Sequence, residues 1–347
     1  MKDYNKYYKA ISEIDFQDEK KIVNALTKSG LYSNSQIYPL ASLQLELTSH
    51  CNARCKHCYN NSGINNIVDD MTPEKWIDFA KYIVQNGGVF ECLISGGEPL
   101  LLGTQLFEIM DIFHNDGTCF LFQTNGYLLT EEISKKLQKY KYHWIQISID
   151  GITEEYHDSF RQRKGSWKNA IDGAKMISQK GLPLKIAHCI TPYNLHEIDQ
   201  MCNLAHSIGA SAITIGELCL SGRVSQNLNL LLSNSQREFL YEKINENRVK
   251  YKNIMKVKSS NSIKFGLERH KRKPYASLLI RPNGDIRIDG MAPFVIGNIL
   301  KDDFTNILKS KLNTCWNNQK VEQFISGFNK DDRNYSKINF VDQDIKI

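Results

Sequence analysis

Between residues 43 and 216, short runs of apolar, β-branched and aromatic residues alternate with longer stretches whose apolar positions recur every three to four residues. The short runs, 43–48, 90–95, 119–124, 144–149, 184–190 and 211–216, predict six strands, and the stretches between them predict amphipathic helices. Such alternation is the pattern of parallel strands joined by crossover helices, an α/β fold. Predicted helix starts are Thr72 followed by Pro73, then Thr104, Thr130, Ser166, and Asn194 with Glu197 three residues on. Gly87, Gly117, Gly181 and Gly209 stand where left-handed closing residues belong. After Thr72, the positions Trp76, Phe79, Ala80, Ile83 and Val84 share one helical face, which predicts packing against the sheet. Six β-α units are too few for a closed eight-stranded barrel.

Beyond residue 222 the alternation stops. A Ser/Asn/Leu-rich connection leads to a helix near 236–247 and then to the basic run Arg269-His270-Lys271-Arg272-Lys273, which reads as a solvated linker before Pro274. Residues 277–288, with Pro282-Asn283-Gly284-Asp285 at their centre, predict a β-hairpin. At the other end, 20–29 predict one helix closed by Gly30, expected to cap the bottom of the β-α units. The chain thus divides into 1–40, six β-α units over 41–222, a linker and helix over 223–273, and a small α+β extension over 274–347.

Hydrophobic residues make up 41% of 347, enough for a sizeable core. There is no run long and apolar enough to span a bilayer, and the start is polar, so a cytoplasmic protein with no membrane partner is expected. Nine cysteines without a regular framework fit a reducing compartment that leaves thiols free for metal. A net charge of +6 is too modest to mark a nucleic-acid surface, and none is expected.

Cys51, Cys55 and Cys58, spaced C-x3-C-x2-C directly after the first predicted strand, are the strongest chemical signal. Three close thiolates hold either an iron-sulfur cluster, which leaves one iron open for chemistry, or a zinc ion completed by His50 or His57. Cys92, Cys119 and Cys202 fall inside predicted elements and read as small buried hydrophobes. Cys189 and Cys219 fall near the carboxyl ends of the fifth and sixth strands, where sites of parallel α/β folds lie.

The stretch Glu46-Leu47-Thr48-Ser49-His50-Cys51-Asn52-Ala53-Arg54-Cys55-Lys56-His57-Cys58-Tyr59 resembles the signature of the radical S-adenosylmethionine (SAM) superfamily. Ser95-Gly96-Gly97-Glu98-Pro99, Gln123-Thr124-Asn125-Gly126 and Ser148-Ile149-Asp150-Gly151 resemble its later motifs, in the same order. The resemblance implies a partial (β/α)6 barrel and a 4Fe-4S cluster on Cys51, Cys55 and Cys58 with SAM on the open iron. It further implies reductive cleavage of SAM to a 5'-deoxyadenosyl radical, and a flavodoxin- or ferredoxin-type reductant. On the same basis Gly96 and Gly97 let backbone approach the methionine moiety, and Glu98 accepts from its ammonium group. Tyr59 lies near the adenine, Asn125 lines the pocket, Ser148 and Asp150 meet the ribose hydroxyls, and Arg161 faces the SAM carboxylate.

Residues 277–300 resemble the SPASM extension of peptide-modifying members, but Ile288 and Asp289 stand where a cluster ligand is expected and only Cys315 remains beyond. This implies a SPASM-like domain without auxiliary clusters, acting on a ribosomally made precursor peptide by epimerisation or C–H cross-linking. Lacking a second electron acceptor, a redox-neutral outcome is favoured, with Cys219 or Cys189 returning a hydrogen atom. The competing readings are a small-molecule radical SAM enzyme and a zinc-binding interaction protein.

Overall fold

The computed structural model describes residues 2–11, 19–31, 40–63, 69–260, 263–274, 277–312, 314–328 and 344–347. The chain forms two compact units, one of Met1–Ser49, Ile67–Phe120 and Ser262–Ile347, the other of His50–Asn66 and Leu121–Asn261. The strands are β1 (Ser42–Glu46), β2 (Glu91–Ser95), β3 (Cys119–Thr124), β4 (Tyr142–Ser148), β5 (Leu184–Ile190), β6 (Ala212–Glu217), β7 (Lys256–Ser259), β8 (Leu278–Ile280), β9 (Asp285–Arg287), β10 (Phe294–Asn298) and β11 (Ile345–Lys346).

In the first unit the strand order is β11-β10-β9-β8-β1-β2. β1 runs parallel to β2 and to β8, and its Leu43 and Leu45 are fully buried, which is why the apolar alternation of this stretch was legible. The helix Pro73–Gln85 is capped by the Thr72 hydroxyl, which accepts from the Lys75 N–H. Its Trp76, Phe79, Ala80 and Ile83 are buried, and the Trp76 indole N–H donates to the Leu47 carbonyl at 2.9 Å. β8 and β9 form the expected antiparallel hairpin, turning through Gly284 at φ +83°. The segment 1–40 contains the expected helix as Glu19–Lys28 and a further one, Tyr4–Ile11; 12–18 and 32–39 lie outside the described residues.

Two expectations fail in this unit. The helix Thr104–Asn115 is entered from Gly103 at φ +58°, without a side-chain cap from Thr104. The basic run is the last turn of the helix Ile263–Arg272 and not a linker: Lys271 reaches Glu322 at 2.7 Å, and His270 pairs with Asp289. Basic residues at a helix C-terminus meet the negative end of its dipole, so this charge is spent locally.

In the second unit β4-β5-β6-β7 are all parallel. β7, Lys-Val-Lys-Ser, carries one apolar residue and so left no periodic signal. Thr153 caps the unforeseen helix Glu154–Arg161. The helix Ser166–Gln179 follows Gly165 at φ +74°, and the Ser166 hydroxyl donates to Asp158 instead of capping. Asn194 is no cap either: its amide donates to the carbonyls of Asp150 and Cys189, at 2.8 and 2.9 Å. The helix Asn234–Lys250 opens on a capping box made by Ser233 and Gln236. The glycine stops hold as expected, Gly87, Gly117, Gly181 and Gly209 all having φ between +70° and +110°. β3 belongs to both units, Cys119 and Phe120 to the first and the rest to the second.

Candidate functional site: a cysteine loop held by two buried arginines

Cys51, Cys55 and Cys58 lie in a loop of the second unit without regular structure, and all three are free thiols. Such a loop needs outside partners for its backbone groups. The Arg54 and Lys56 amides donate to the carbonyls of Arg161 and Phe160 at the end of the helix Glu154–Arg161, at 3.1 and 2.9 Å. Arg223, 9% exposed, supplies most of the rest. Its amide donates to the Cys58 carbonyl at 3.1 Å, its Nε to the Cys55 carbonyl at 2.7 Å, and its Nη1 to the Ser62 carbonyl at 2.7 Å. The Ser221 hydroxyl adds a bond to the Tyr59 carbonyl at 2.9 Å.

Between them Gly222 has φ +55°, and a Cβ there would sit 2.3 Å from the Cys58 carbonyl oxygen. Only glycine tolerates both the dihedral and the approach. Gly222→Ala is therefore expected to lift residues 221–223 off the loop at a cost of about 1–3 kcal/mol. It should lower the iron retained after anaerobic reconstitution, measured against the unsubstituted protein.

Arg161 is 6% exposed and Asp150 is fully buried. Arg161 Nη2 and Nε lie 2.7 and 2.9 Å from Asp150 Oδ2, and Oδ1 accepts the Cys189 N–H at 2.9 Å. Both carboxylate oxygens are thus engaged within the protein. Asp150 aligns Arg161, whose Nη1 reaches the Cys55 sulfur at 3.9 Å. Arg161 thus spends two of its nitrogens on Asp150. Burial pushes the Asp150 carboxyl up, but the adjacent guanidinium outweighs it and holds the group well below the usual carboxylate range.

Three histidines surround this pair, and burial lowers each: His57 to about 4, His157 to about 3, and His188 in the same direction. His57 stacks on Phe160 at 4.2 Å between ring centroids, with Nε2 3.7 Å from Asp150 Oδ2. His157 Nδ1 accepts the Asp150 N–H at 3.1 Å, and His188 Nδ1 lies 3.0 Å from the Ile149 carbonyl. All three are neutral near pH 7, so Arg161, Arg223 and Asp150 set the fixed charge of the site. A histidine with a lowered folded pKa contributes stability in full above its unfolded pKa of about 6.5, and that contribution declines as pH falls below it. Between about pH 6.5 and 4, His157 alone should therefore cost about 1.4 kcal/mol per pH unit. His157→Gln should flatten the pH dependence of the urea midpoint over that window.

The geometry separates the two metals left open by spacing. Among the described residues, the one group of three His, Cys, Asp or Glu whose ligand atoms lie within 4.8 Å of one another is His57, Asp150 and Cys189, where Arg161 already holds the carboxylate. The three loop sulfurs do not form such a group, whereas a zinc ion with bonds of about 2.3 Å holds its thiolates about 3.8 Å apart. Of the two candidate fourth ligands for a zinc knuckle, His57 turns to Asp150 and His50 is exposed. A cluster gives each sulfur an iron of its own. The donors suit it too: the Ala53 N–H and the Asn125 amide lie 3.5 and 3.7 Å from the Cys51 sulfur, joining Arg161 at Cys55. Hydrogen bonds to sulfur are what a protein offers an anionic cluster. Burial pushes the Cys55 thiol up to about 12, so its ionisation calls for the positive charge that iron brings.

Tyr59 and Ser148 are half-buried in the same unit. Gly96, Gly97 and Glu98 belong to the other unit. Gly96 has φ +138° and a Cβ there would lie 2.7 Å from the Thr48 carbonyl, to which the Gly97 N–H donates at 2.6 Å. Glu98 is fully buried and accepts the Leu100 N–H at 3.2 Å. Sequence reasoning missed Arg223 and the neutral histidines. An arginine directly after Gly222, where the repeating β-α pattern stops, was the available signal for the first.

The Radical SAM superfamily model matches residues 45–205. The chain is 29% identical over 294 residues to the antilisterial bacteriocin subtilosin biosynthesis protein AlbA of Bacillus subtilis, covering 83% of this chain and 63% of AlbA. It is 26% identical to the AdoMet-dependent heme synthase of Methanosarcina barkeri, covering 80% of this chain and 82% of that protein. In fold it is similar to Streptococcus suis SuiB, whose crystal structures include complexes with S-adenosylmethionine and with the precursor peptide SuiA. The SAM-bound structure superposes with a TM-score of 0.64 at 14% identity, over 93% of this chain and 76% of SuiB. The spacing of the cysteines, the sulfur-directed donors and these matches agree on one domain: residues 45–205 of this chain match the Radical SAM superfamily.

Proposed function

We propose that this enzyme removes a hydrogen atom from a Cα of a ribosomally made precursor peptide and returns one from a cysteine thiol, inverting that residue. One observation carries the choice of a returned hydrogen. The segment that bears Cys219 is bonded directly to the cluster loop through Ser221 and Arg223. Cys189 stands by a second route, its amide on Asp150. Both are protonated thiols: burial pushes Cys219 up to about 12 and Cys189 well above its ordinary value. A thiol, not a thiolate, carries the hydrogen atom to be given.

Cys51, Cys55 and Cys58 would hold the 4Fe-4S cluster, which when bound supplies the electron for SAM cleavage. Tyr59, Asn125 and Ser148 would position the nucleoside, and Gly96, Gly97 and Glu98 the methionine end. The peptide assignment draws on AlbA and SuiB and on a SPASM-like reading of residues 274–347. There, Ile288 is fully buried, Asp289 pairs with His270, and the Cys315 sulfur lies against the Leu312 carbonyl at 3.3 Å, positions built for packing and not for auxiliary clusters. Without a second acceptor, the S–H bond that breaks is balanced by the C–H bond that forms. The thiyl then recovers one electron from the flavodoxin- or ferredoxin-type reductant and one proton from water.

The test is incubation of the reconstituted enzyme with peptides encoded beside its gene, in deuterated water. A gain of one deuterium supports inversion, whereas a loss of two hydrogens indicates a cross-link. Cys219→Ala and Cys189→Ala are both expected to keep SAM cleavage, and at least one to lose the deuterated product. Unchanged product from both would remove the thiol step, and turnover of a small molecule with no peptide would remove the peptide.

A further inference from the structure

The strand β11 occupies a site built more strongly than its occupant. In the first unit Arg281 and Arg287 are 1% and 2% exposed, on either side of the β8–β9 turn. Both turn to one carboxylate. Arg287 Nε lies 2.7 Å from Asp344 Oδ1, its Nη2 pairs with the same oxygen, and Arg281 Nη1 lies 3.4 Å from Oδ2. Arg281 Nε also faces Glu46, at 3.7 Å. Two buried cations side by side require an anion, because burying an uncompensated charge is costly. Burial and Arg281 both pull Arg287 down, and Asp344 opposes them.

Asp344 itself is 22% exposed, and the strand that follows adds little. Besides the ladder that pairs Phe294 with Ile345 and Val295 with Lys346, its main-chain bonds include Ile345 N–H to the Pro293 carbonyl at 2.7 Å and Ile347 N–H to the Val295 carbonyl at 3.0 Å. Ile345 is 37% exposed and Lys346 is exposed as well, so neither side chain of the strand is buried. The body of the unit supplies the arginine pair and the edge of β10, and beside that edge lies a cavity of about 230 Å³ lined in part by Gly297, Asn298, Lys301 and Lys311 and, from the last strand, by Lys346 and Ile347. An extended segment adding to a sheet edge gains affinity from main-chain bonds and specificity from a few side chains. Here the specifying group is a carboxylate, and the lysines beside the edge favour acidic partners.

We propose that the β10 edge, with Arg281 and Arg287, docks an extended acidic segment of the peptide substrate, which sets an Asp or Glu on the arginine pair in place of Asp344. The proposal deepens the peptide reading above and rests on it for the identity of the partner. The tethered strand competes at an effective concentration of order mM, so a segment wins by filling the adjacent cavity as well. Residues 344–347 thereby screen out weak ligands.

The probe is fluorescein-labelled Gln-Asp-Ile-Lys-Ile, read by anisotropy with the reconstituted full chain. Asp344→Asn, which weakens the internal competitor, is expected to bind it about tenfold more tightly than the unsubstituted chain. The same peptide with Asn for Asp should not bind. Independently, millimolar probe should raise hydrogen exchange at the Ile345 and Ile347 amides of the unsubstituted protein. Equal binding by both chains, equal binding of both peptides, or unchanged exchange with the probe bound would each overturn the proposal. Neither readout involves hydrogen abstraction. A chain that passes both but modifies no peptide sinks the enzymatic reading alone, and one that modifies its peptide while failing them sinks the docking site alone.

Discussion

Cys55→Ala will leave the enzyme without SAM cleavage and with little bound iron. Of the three proposed ligand positions, Cys55 is the most enclosed, 8% exposed, with Arg161 on its sulfur and Arg223 on its carbonyl. Alanine there removes a covalent anchor whose place no solvent ligand can easily take. Cys51 and Cys58 are less buried, so their alanine variants should retain more iron on reconstitution while also losing cleavage. The measurement is iron and sulfide content together with 5'-deoxyadenosine formed under a strong reductant. Cleavage at the unsubstituted rate by Cys55→Ala would falsify the ligand assignment.

Arg161→Met is expected to destabilise the protein by about 3–5 kcal/mol, because it strands the Asp150 carboxylate in a fully buried position. With Arg161 present, Asp150 has a folded pKa below its unfolded value of about 3.9, so the pair's contribution is present above that pH and lost as pH falls through the folded value. Without Arg161, burial alone acts and raises the pKa. The sign then reverses, and the deficit of the variant should shrink as the pH is lowered from 7 toward 5. Adding Asp150→Asn should restore a large part of the stability, since a neutral amide has no charge to strand. Urea midpoints of the two variants at two pH values test this. A deficit independent of pH, with no rescue, would mean that Arg161 acts through packing alone. Loss of the donor to Cys55 should in addition make the cluster harder to reduce, visible in its potential.

The six strands of the repeating part were readable because each buries an apolar face and is bounded by glycine or a capping residue. β3 and β5 match their expected bounds residue for residue, and the others shift by one or two. Thr104, Ser166 and Asn194 look the same in sequence as Thr72 and Thr130, which do cap. What differs is whether a better partner is near: Asp158 takes the Ser166 hydroxyl, and two carbonyls take the Asn194 amide. The basic run at 269–273 misled for a related reason, since its partners Glu322 and Asp289 are remote in sequence.

By itself the sequence determined the cysteine loop, the six strands of the repeating part and the family resemblance, because these depend on residues close together in the chain and on periodic burial. Only the tertiary structure decided the loop's second layer. Arg161 and Arg223 come from segments more than a hundred residues away, and their charges settle on Asp150 and on the loop carbonyls only once burial leaves them no water to bond. The same holds for Asp344, whose carboxylate meets two arginines about sixty residues earlier in the chain. Spacing can announce a metal, but which groups surround it is fixed by desolvation, and desolvation is a property of the folded chain.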